Sequence, residues 1–355
     1  MSISRSWTSS SAARSRRCAR STLTESPQTA ITPRELFFDR RRLLLAFATL
    51  PMACRSEGGR EPIVPALERP DVFPARRNEE IQLPQGAFEG LTEREVAGRH
   101  TNFYEFLPGR AGDLTRLTTN FEATPWTLEV AGACAEPLSL SLDDLFAFEH
   151  EERLYHFRCV ERWSMNVPWT GFPLHRVIER CRPLDTARYV RFESALQPSR
   201  MPGVDQAPQY PWPYHEALRL DEAVHPLTLL ATGVYGEPLP KQHGAPVRLV
   251  VPWKYGYKSA KSLVRIELVE EAPTTFWQEA FPHEYGFLSN VNPNIPHPRW
   301  DQDKSFVLRD DPVWPTVRDT FPTELFNGYE DEVGHLYPDE PREPQVALQP
   351  GQIAR

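Results

Sequence analysis

The density of proline is the property of this sequence that most restricts its fold. The 355 residues include 36 prolines but only 18 glycines, and this proline content is about twice ordinary usage. Proline lacks a backbone N–H and fixes φ, so it interrupts helices and is confined to the edges and ends of strands. The sequence therefore predicts short strands and short helices, joined by long proline-rich loops.

Hydrophobic patterning places the regular elements within residues 92–337. Alternating or apolar segments predict strands at 126–132, 153–159, 187–194, 227–232, 247–251 and 262–269. A serine cap at Ser141 predicts a short helix to Phe146, helical spacing extends over 172–181, and a helical turn is expected at 221–224. The prediction is one β-rich α+β domain over residues 92–337.

The rest of the chain divides into three polar stretches around this domain. Residues 1–54 combine an extension rich in Ser, Arg and Thr, predicted to be disordered, with an export signal. Residues 55–91 are predicted to be a proline-rich tether or arm, and residues 338–355 a polar tail. The formal net charge of −8 argues against a nucleic-acid partner, which would require a basic face.

The export signal is predicted from a basic cluster that precedes a short apolar run. The apolar residues from Leu43 to Met52 are too few to span a bilayer, as is typical of a secretory signal. The Arg41-Arg42 pair with leucines after it resembles a twin-arginine signal, which exports folded and often cofactor-loaded proteins. We therefore expect a periplasmic protein, with a lipid anchor at Cys54 as the alternative to cleavage of the signal.

Three cysteines lie inside the predicted domain: Cys134, Cys159 and Cys181. An odd number in an exported protein implies at least one thiol outside any internal disulfide. Cys159 ends a predicted strand between Arg158 and Arg162, and these charges are expected to favour its thiolate.

The residues alone leave three roles open for Cys159. It could be a buried structural cysteine, a nucleophile with His156 or His175 as its base, or one soft ligand to a metal. In the last case, a cofactor would supply the other ligands. Zinc is disfavoured because no further Cys or His lies at short spacing.

A second group of candidate residues is strongly basic and interleaved with glycine and proline. Six basic residues fall within about twenty positions of this otherwise acidic chain. They are Lys241, His243, Arg248, Lys254, Lys258 and Lys261. Glycines allow the backbone to approach a ligand, and Arg and Lys suit a phosphate, so this cluster is predicted to be an anion pocket. A solvated basic face is the alternative. The run Asn102-Phe-Tyr-Glu-Phe106 is either a packed turn or part of a site.

These motifs together resemble a known family. The segment His243-Gly244-x-Pro246-Val247-Arg248, with Lys261, resembles the cofactor-binding segment of sulfite-oxidase-fold molybdenum enzymes. More specifically, the chain resembles the catalytic subunits of periplasmic protein-methionine-sulfoxide reductases. The resemblance runs in order through 102–106, 158–165, 167–174, 251–256, 290–293, 297–300 and 325–329.

The resemblance implies a sulfite-oxidase-type domain with one molybdopterin per chain, whose molybdenum is bound by its dithiolene and by Cys159. The implied cofactor-binding residues are Thr101, Asn102, Tyr104, Glu105, Ser194, His243, Arg248, Ser259, Ala260 and Lys261. Three of them depart from the reductase pattern. Thr101 replaces an asparagine, Ser194 stands where threonine is usual, and His243 stands where many reductases have asparagine and sulfite oxidases have histidine.

The resemblance also implies a reaction and partners. The reaction is oxygen-atom transfer from methionine sulfoxide in oxidised periplasmic proteins, with electrons from a haem-containing membrane subunit. Trp163, Trp169 and Tyr235 are predicted to form the wall of an open mouth, and no dimerisation domain is evident, which favours a monomer. The alternatives are sulfite oxidation or reduction of small S- and N-oxides on the same fold, and a non-catalytic exported anion-binding protein.

Overall fold

The computed structural model of the chain describes residues 61–309 and 320–345. The predicted extension and twin-arginine signal, Cys54 and residues 346–355 of the predicted tail lie outside the described residues. Residues 61–91 of the predicted arm contain almost no regular secondary structure, and Arg77 forms an isolated bridge with Glu152. No helix among the residues that are described is long and apolar enough to cross a membrane.

The described residues form twelve short strands and seven short α-helices, in agreement with the proline content. The strands are β1 Thr127–Gly132, β2 Leu138–Ser141, β3 Glu151–Arg158, β4 Trp163–Pro173, β5 Tyr189–Ser194, β6 His215–Arg219, β7 Leu229–Val234, β8 Glu237–Pro238, β9 Arg248–Val250, β10 Leu263–Val269, β11 Lys304–Val307 and β12 Thr320–Pro322. The helices are α1 Arg94–Arg99, α2 Leu142–Phe146, α3 His175–Cys181, α4 Pro202–Gln206, α5 Leu220–Ala223, α6 Phe276–Ala280 and α7 Glu330–Val333. The predicted α+β class is confirmed.

The strands form two sheets. A five-stranded sheet has the order β2-β1-β10-β5-β6, in which β1 and β10 pair in parallel and the other neighbours are antiparallel. A seven-stranded sheet has the order β12-β11-β4-β7-β8, with β3 paired to β4 and β9 paired to β7. Buried side chains of both sheets belong to one hydrophobic core, which therefore unites the two sheets.

A tight connection between β3 and β4 positions Cys159. The Cys159 N–H donates to the carbonyl of Trp163 at 3.0 Å, and the Arg162 N–H donates to the carbonyl of Cys159 at 2.9 Å. Arg162 adopts a positive φ of 80°, which lets the chain reverse within these few residues. Cys159 thus follows the last residue of β3, and the prediction that a strand delivers it at its end is confirmed.

Most of the predicted elements are present. The predicted strands correspond to β1, β3, β5, β7, β9 and β10, with shifts at their ends. The Ser141 cap is confirmed as a capping box, in which Ser141 Oγ accepts from the Asp144 N–H and Asp144 Oδ2 accepts from the Ser141 N–H. The helix predicted over 172–181 is wrong in its first part, because 172 and 173 end β4 and the helix begins at His175.

Candidate active site

A deep cavity opens where the β3–β4 connection faces the loops around β9 and β10. Its empty volume is about 980 Å³, including the open mouth. The lining residues come from stretches 100–105, 157–169, 243–261 and 277–285, together with Tyr214. The cavity therefore combines segments that are far apart in the chain.

The structure brings ten of the eleven predicted site residues to this cavity. They are Cys159, Thr101, Asn102, Tyr104, Glu105, His243, Arg248, Ser259, Ala260 and Lys261. Ser194 is buried in β5 and does not line the cavity; its N–H donates to the carbonyl of Tyr214, which does. Trp163 and Trp169 also line the wall, as predicted, whereas Tyr235 does not. The cofactor contacts of these residues remain predictions.

The Cys159 thiol is buried in the wall of the cavity. The prediction that the neighbouring arginines favour its thiolate is wrong for the metal-free protein. Burial raises the pKa of the thiol, the Glu161 carboxylate raises it further, and Arg158 only partly opposes them. Both arginines are directed elsewhere. Arg158 donates to Ser305 Oγ at 2.8 Å and to the carbonyl of Cys159 at 3.0 Å, and Arg162 donates to the carbonyl of Lys304 at 2.9 Å. A bound metal ion would provide the positive charge that this thiolate requires.

The geometry separates the three roles that were open for Cys159. Neither proposed base, His156 or His175, lines the cavity, and the Nδ1 atom of His156 is occupied by Asn166 Oδ1 at 2.7 Å. Within 61–309 and 320–345, no three His, Cys, Asp or Glu side chains converge to hold a metal ion. A metal at Cys159 would therefore take its other ligands from a cofactor, and Cys159 reaches the cavity in which such a cofactor would lie.

Two cations face the cavity without a carboxylate at salt-bridge distance: the buried Arg248 and the partly buried Lys261. Arg248 donates to the carbonyls of His243 at 3.0 Å, Ser259 at 3.1 Å and Leu249 at 3.2 Å. Lys261 Nζ donates to the carbonyl of Asn102 at 2.8 Å. No salt bridge within 4.0 Å joins Arg248 or Lys261 to an acidic residue in the described part of the chain.

The pKa shifts of these two groups reflect the missing partner. Burial lowers the pKa of Arg248 to about 9. Burial, followed by repulsion from Arg248, lowers the pKa of Lys261 to about 7. Buried positive charge without a counter-ion is costly, and an anion bound in the cavity would remove that cost.

The other lysines of the predicted basic cluster do not face the cavity. Lys254 Nζ lies 2.7 Å from Glu222 Oε1, and Lys258 Nζ lies 2.7 Å from Glu216 Oε2; all four side chains are buried. Lys241 is half-buried and donates to the carbonyl of Thr119. The prediction that the whole cluster forms one anion pocket is therefore wrong, because buried glutamates neutralise two of its members.

Uncharged polar atoms in the wall also lack partners. His243 Nε2 lies 3.0 Å from the carbonyl of Ala97, so this nitrogen carries the proton and the buried Nδ1 is left as a free acceptor. Burial lowers the pKa of His243 to about 4, so the ring is neutral. Asn102 Nδ2 donates to Glu161 Oε1 at 3.2 Å and leaves Oδ1 without a partner. Two free acceptors and two free cations fit a ligand with N–H groups and a phosphate, as a pterin cofactor has.

Gly244 allows the turn that carries His243 to pack against Lys261. Its φ is +93°, and a Cβ atom at this position would lie 2.6 Å from Lys261 Cβ. A side chain would therefore be strained and would push the lysine out of position. The glycine thus keeps His243 and Lys261 on the same side of the cavity.

The lining of the cavity is rich in aromatic side chains, of which sequence reasoning missed His100, Trp277 and Tyr285. Tyr104 and Trp277 meet edge to face with centroids 4.8 Å apart, and Trp277 lies 5.2 Å from Tyr285. His100 packs against Trp163 at 4.9 Å. The position of His100 directly before the 101–105 segment could have indicated it. Trp277 and Tyr285 carry no such signal, since aromatic residues at their spacing are typical of ordinary packing.

Comparison with known proteins assigns this architecture to one group of enzymes. Residues 116–277 match the model of the oxidoreductase molybdopterin binding domain. The chain is 45% identical over 314 residues to a protein-methionine-sulfoxide reductase catalytic subunit MsrP from Xanthomonas campestris pv. campestris, covering 88% of this chain and 95% of that protein. A protein of the same name from Campylobacter jejuni is 48% identical over 248 residues, 70% of this chain and 81% of the relative.

A solved structure also matches at lower similarity. It is the sulfane dehydrogenase SoxCD from Paracoccus pantotrophus, with a TM-score of 0.41 and 18% identity. The match covers 61% of this chain and 57% of that chain.

Proposed function

The chain belongs to the family of molybdopterin-dependent protein-methionine-sulfoxide reductase catalytic subunits, and on this basis we propose that it repairs oxidised methionine in exported proteins. A haem-containing membrane subunit would supply the electrons. The observation that carries the proposal is the position of Cys159, which lies in the wall of a cavity that also presents unpaired cations and an aromatic mouth. Metal ligation, anion binding and access for a side chain are thereby combined in one place.

The residues of the cavity fit a molybdopterin. Arg248 and Lys261 would hold its phosphate, and the free acceptors of His243 and Asn102 would receive N–H groups of the pterin. Cys159 would be the protein ligand of the metal, so one molybdenum per chain is expected. When bound, the molybdenum supplies the oxygen-accepting two-electron chemistry that the side chains lack.

The aromatic mouth is suited to a methionine sulfoxide side chain. Burial, with the Glu161 carboxylate among the further causes, raises the pKa of the phenols of Tyr104 and Tyr285, so both remain protonated donors. Both phenols lie near enough to Cys159 for its charge to affect their pKa. They can donate to the sulfoxide oxygen, while Trp277 offers an apolar face to the methyl and sulfur atoms.

An open mouth fits a substrate that is attached to a protein. Oxidation makes the methionine side chain polar, so the sulfoxide tends to become exposed and can enter a surface cavity. Export through the Arg41-Arg42 signal would bring the enzyme to a compartment that cytoplasmic repair cannot reach.

The proposal is tested on an oxidised, folded periplasmic protein incubated with the molybdenum-loaded enzyme and a chemical electron donor. Mass spectrometry should show the loss of one oxygen for each repaired methionine, and Cys159→Ser should show none. Metal and pterin analysis of Cys159→Ser gives a second readout that does not depend on turnover. Turnover of sulfite or small sulfoxides alone, with protein-bound sulfoxide untouched, would contradict the proposed substrate.

The proposed location is tested separately. The substitution Arg41-Arg42→Lys-Lys should leave the precursor in the cytoplasm, since a folded protein cannot pass through a channel for unfolded chains. Fractionation followed by immunodetection measures the effect. Normal amounts of mature protein in the periplasm would show that export does not depend on this pair.

A further inference from the structure

Two cysteines outside the cavity are brought together by a short backbone ladder. Cys134 follows β1 by two residues, and Cys181 is the last residue of α3. The Ala135 N–H donates to the carbonyl of Arg182 at 2.8 Å, and the Glu136 N–H donates to the carbonyl of Cys181 at 3.0 Å. An isolated antiparallel bridge between Cys134 and Pro183 extends the same pairing. The two segments are therefore held side by side by the backbone.

The thiols of this pair are neighbours and are both reduced. Burial and the adjacent Cys134 thiol raise the pKa of Cys181 to about 12, and Cys181 Sγ donates to the carbonyl of Ile178 at 3.1 Å. Cys181 is completely buried, whereas Cys134 keeps 8% of its surface accessible and is followed by the exposed Ala135 and Glu136. An external reagent would therefore reach Cys134 first.

We propose that Cys134 and Cys181 are a modification site at which an intramolecular disulfide forms in an oxidising compartment. The oxidant is a disulfide of a thiol–disulfide exchange protein or of a small thiol. Cys134 attacks it and forms a mixed disulfide with loss of one thiol. Cys181 then displaces the second thiol, so two cysteine thiols and one external disulfide become one internal disulfide and two external thiols.

The cross-link would connect two segments that follow strands of different sheets. Cys134 follows β1 of the five-stranded sheet, and α3 follows β4 of the seven-stranded sheet. Closing this loop reduces the freedom of the unfolded chain, so the oxidised protein is expected to be more stable. Of the cysteines in the described residues, only Cys159 would then remain a thiol, and it would be kept for the metal rather than for a wrong disulfide.

The experiment is a peptide map of the full chain, purified from the periplasm and from a reducing cytoplasm. Free thiols are alkylated during unfolding without reductant. The periplasmic protein should yield the two peptides joined through Cys134 and Cys181, and the cytoplasmic protein should yield them joined after incubation with oxidised glutathione. Alkylation of both cysteines in the periplasmic or the glutathione-treated sample, or a joined peptide that contains Cys159, would overturn the proposal.

A thermal measurement gives a second readout. Reductant should lower the Tm of the oxidised wild type by about 5 °C and leave that of Cys134→Ser unchanged. Cys159→Ser is the matched control, because it should keep both the cross-link and the shift. An equal effect of reductant on the wild type and Cys134→Ser would contradict the cross-link, and the map requires no variant if one fails to fold. Neither result depends on the substrate proposed above.

Discussion

Two pairs of cations in neighbouring parts of the chain differ in how their charge is compensated. Lys254 and Lys258 each lie 2.7 Å from a buried glutamate, Glu222 and Glu216 respectively. Arg248 is also buried and Lys261 is partly buried, yet their hydrogen bonds go only to backbone carbonyls. The first pair is neutralised within the chain, and the second requires charge from outside.

The difference shows how a fold and a binding site can share one basic segment. A buried ion pair holds its elements in register, and removing one partner leaves an unpaired charge in the interior. A buried cation without a partner costs stability, but it is ready to bind an anion. Burial and charge alone do not distinguish the two kinds of cation, whereas the presence of a carboxylate does.

The largest effect is expected for Lys254→Met. The substitution should lower the free energy of unfolding by about 3–5 kcal/mol, because it leaves the Glu222 carboxylate buried without its cation. Denaturant unfolding measures the loss, and the double variant Glu222→Gln/Lys254→Met should recover much of it. A loss below about 1 kcal/mol would show that this ion pair does not support the fold and would remove the contrast with Lys261.

A smaller effect, of another kind, is expected for Lys261→Met. The unfolding energy of the cofactor-free protein should change little, while affinity for the cofactor should fall about 100-fold through loss of one charge-assisted contact with the phosphate. Pterin and molybdenum content of the purified variant measures the effect. Arg265→Met is the control, since Arg265 pairs with Glu267 on β10 and lies outside the cavity. Full occupancy in Lys261→Met would mean that Lys261 does not hold the anion.

A third effect should appear in the pH dependence of anion binding. The pKa of Lys261 is lowered to about 7 by burial, and burial raises the pKa of the Glu105 carboxyl to about 7. As the pH rises through 7, Lys261 loses its charge and Glu105 gains one, so both changes weaken binding of an anion. Calorimetry with sulfate, a dianion of constant charge, should show affinity falling above pH 7 by up to about tenfold per pH unit for each of the two titrating groups.

The control for this pH effect is the double variant Glu105→Gln/Lys261→Arg. It removes the titrating carboxyl and provides a guanidinium that stays charged, so its sulfate affinity should be almost independent of pH between 6 and 8. The same slope in this variant as in the wild type would assign the titration to other groups.

The smallest effect is expected for Lys241→Met. Lys241 belongs to the same basic segment, but it is half-buried and donates only to the carbonyl of Thr119. The free energy of unfolding should therefore stay within about 0.5 kcal/mol of the wild type, and the cofactor content should equal that of the wild type. A loss of stability comparable with that of Lys254→Met, or of cofactor comparable with that of Lys261→Met, would contradict this. It would show that membership of the basic segment decides the effect, and not the contacts of the individual side chain.

Strands that alternate in burial could be predicted from the sequence, whereas β4 could not. Along β5, the buried Val190, Phe192 and Ser194 alternate with half-buried neighbours, as the pattern predicted. Every residue of β4 is buried, including Pro168 and the polar Asn166, so buried and exposed residues do not alternate along it. The fully buried β7 could still be predicted from its apolar run, which β4 lacks because Asn166, Pro168 and Gly171 interrupt its apolar residues.

The residues of the candidate site could be predicted from the sequence, but the ion-pair partners of the neighbouring lysines could not. The motifs indicated Cys159, Arg248 and Lys261, which all reach the cavity. The separation of Lys254 and Lys258 from them depends on glutamates in β6 and α5, more than thirty residues earlier in the chain. Such pairing is set by the packing of the sheets, and a single sequence does not display it.

The wide separation of the cavity walls has a consequence for the order of events during synthesis. The first lining residue is His100 and the last is Tyr285, so the wall is still incomplete while most of the chain has already left the ribosome. No early fragment of the chain contains Cys159, Arg248 and Tyr285 together. The complete cavity, and with it a complete cofactor site, can therefore form only after residue 285 has been synthesised.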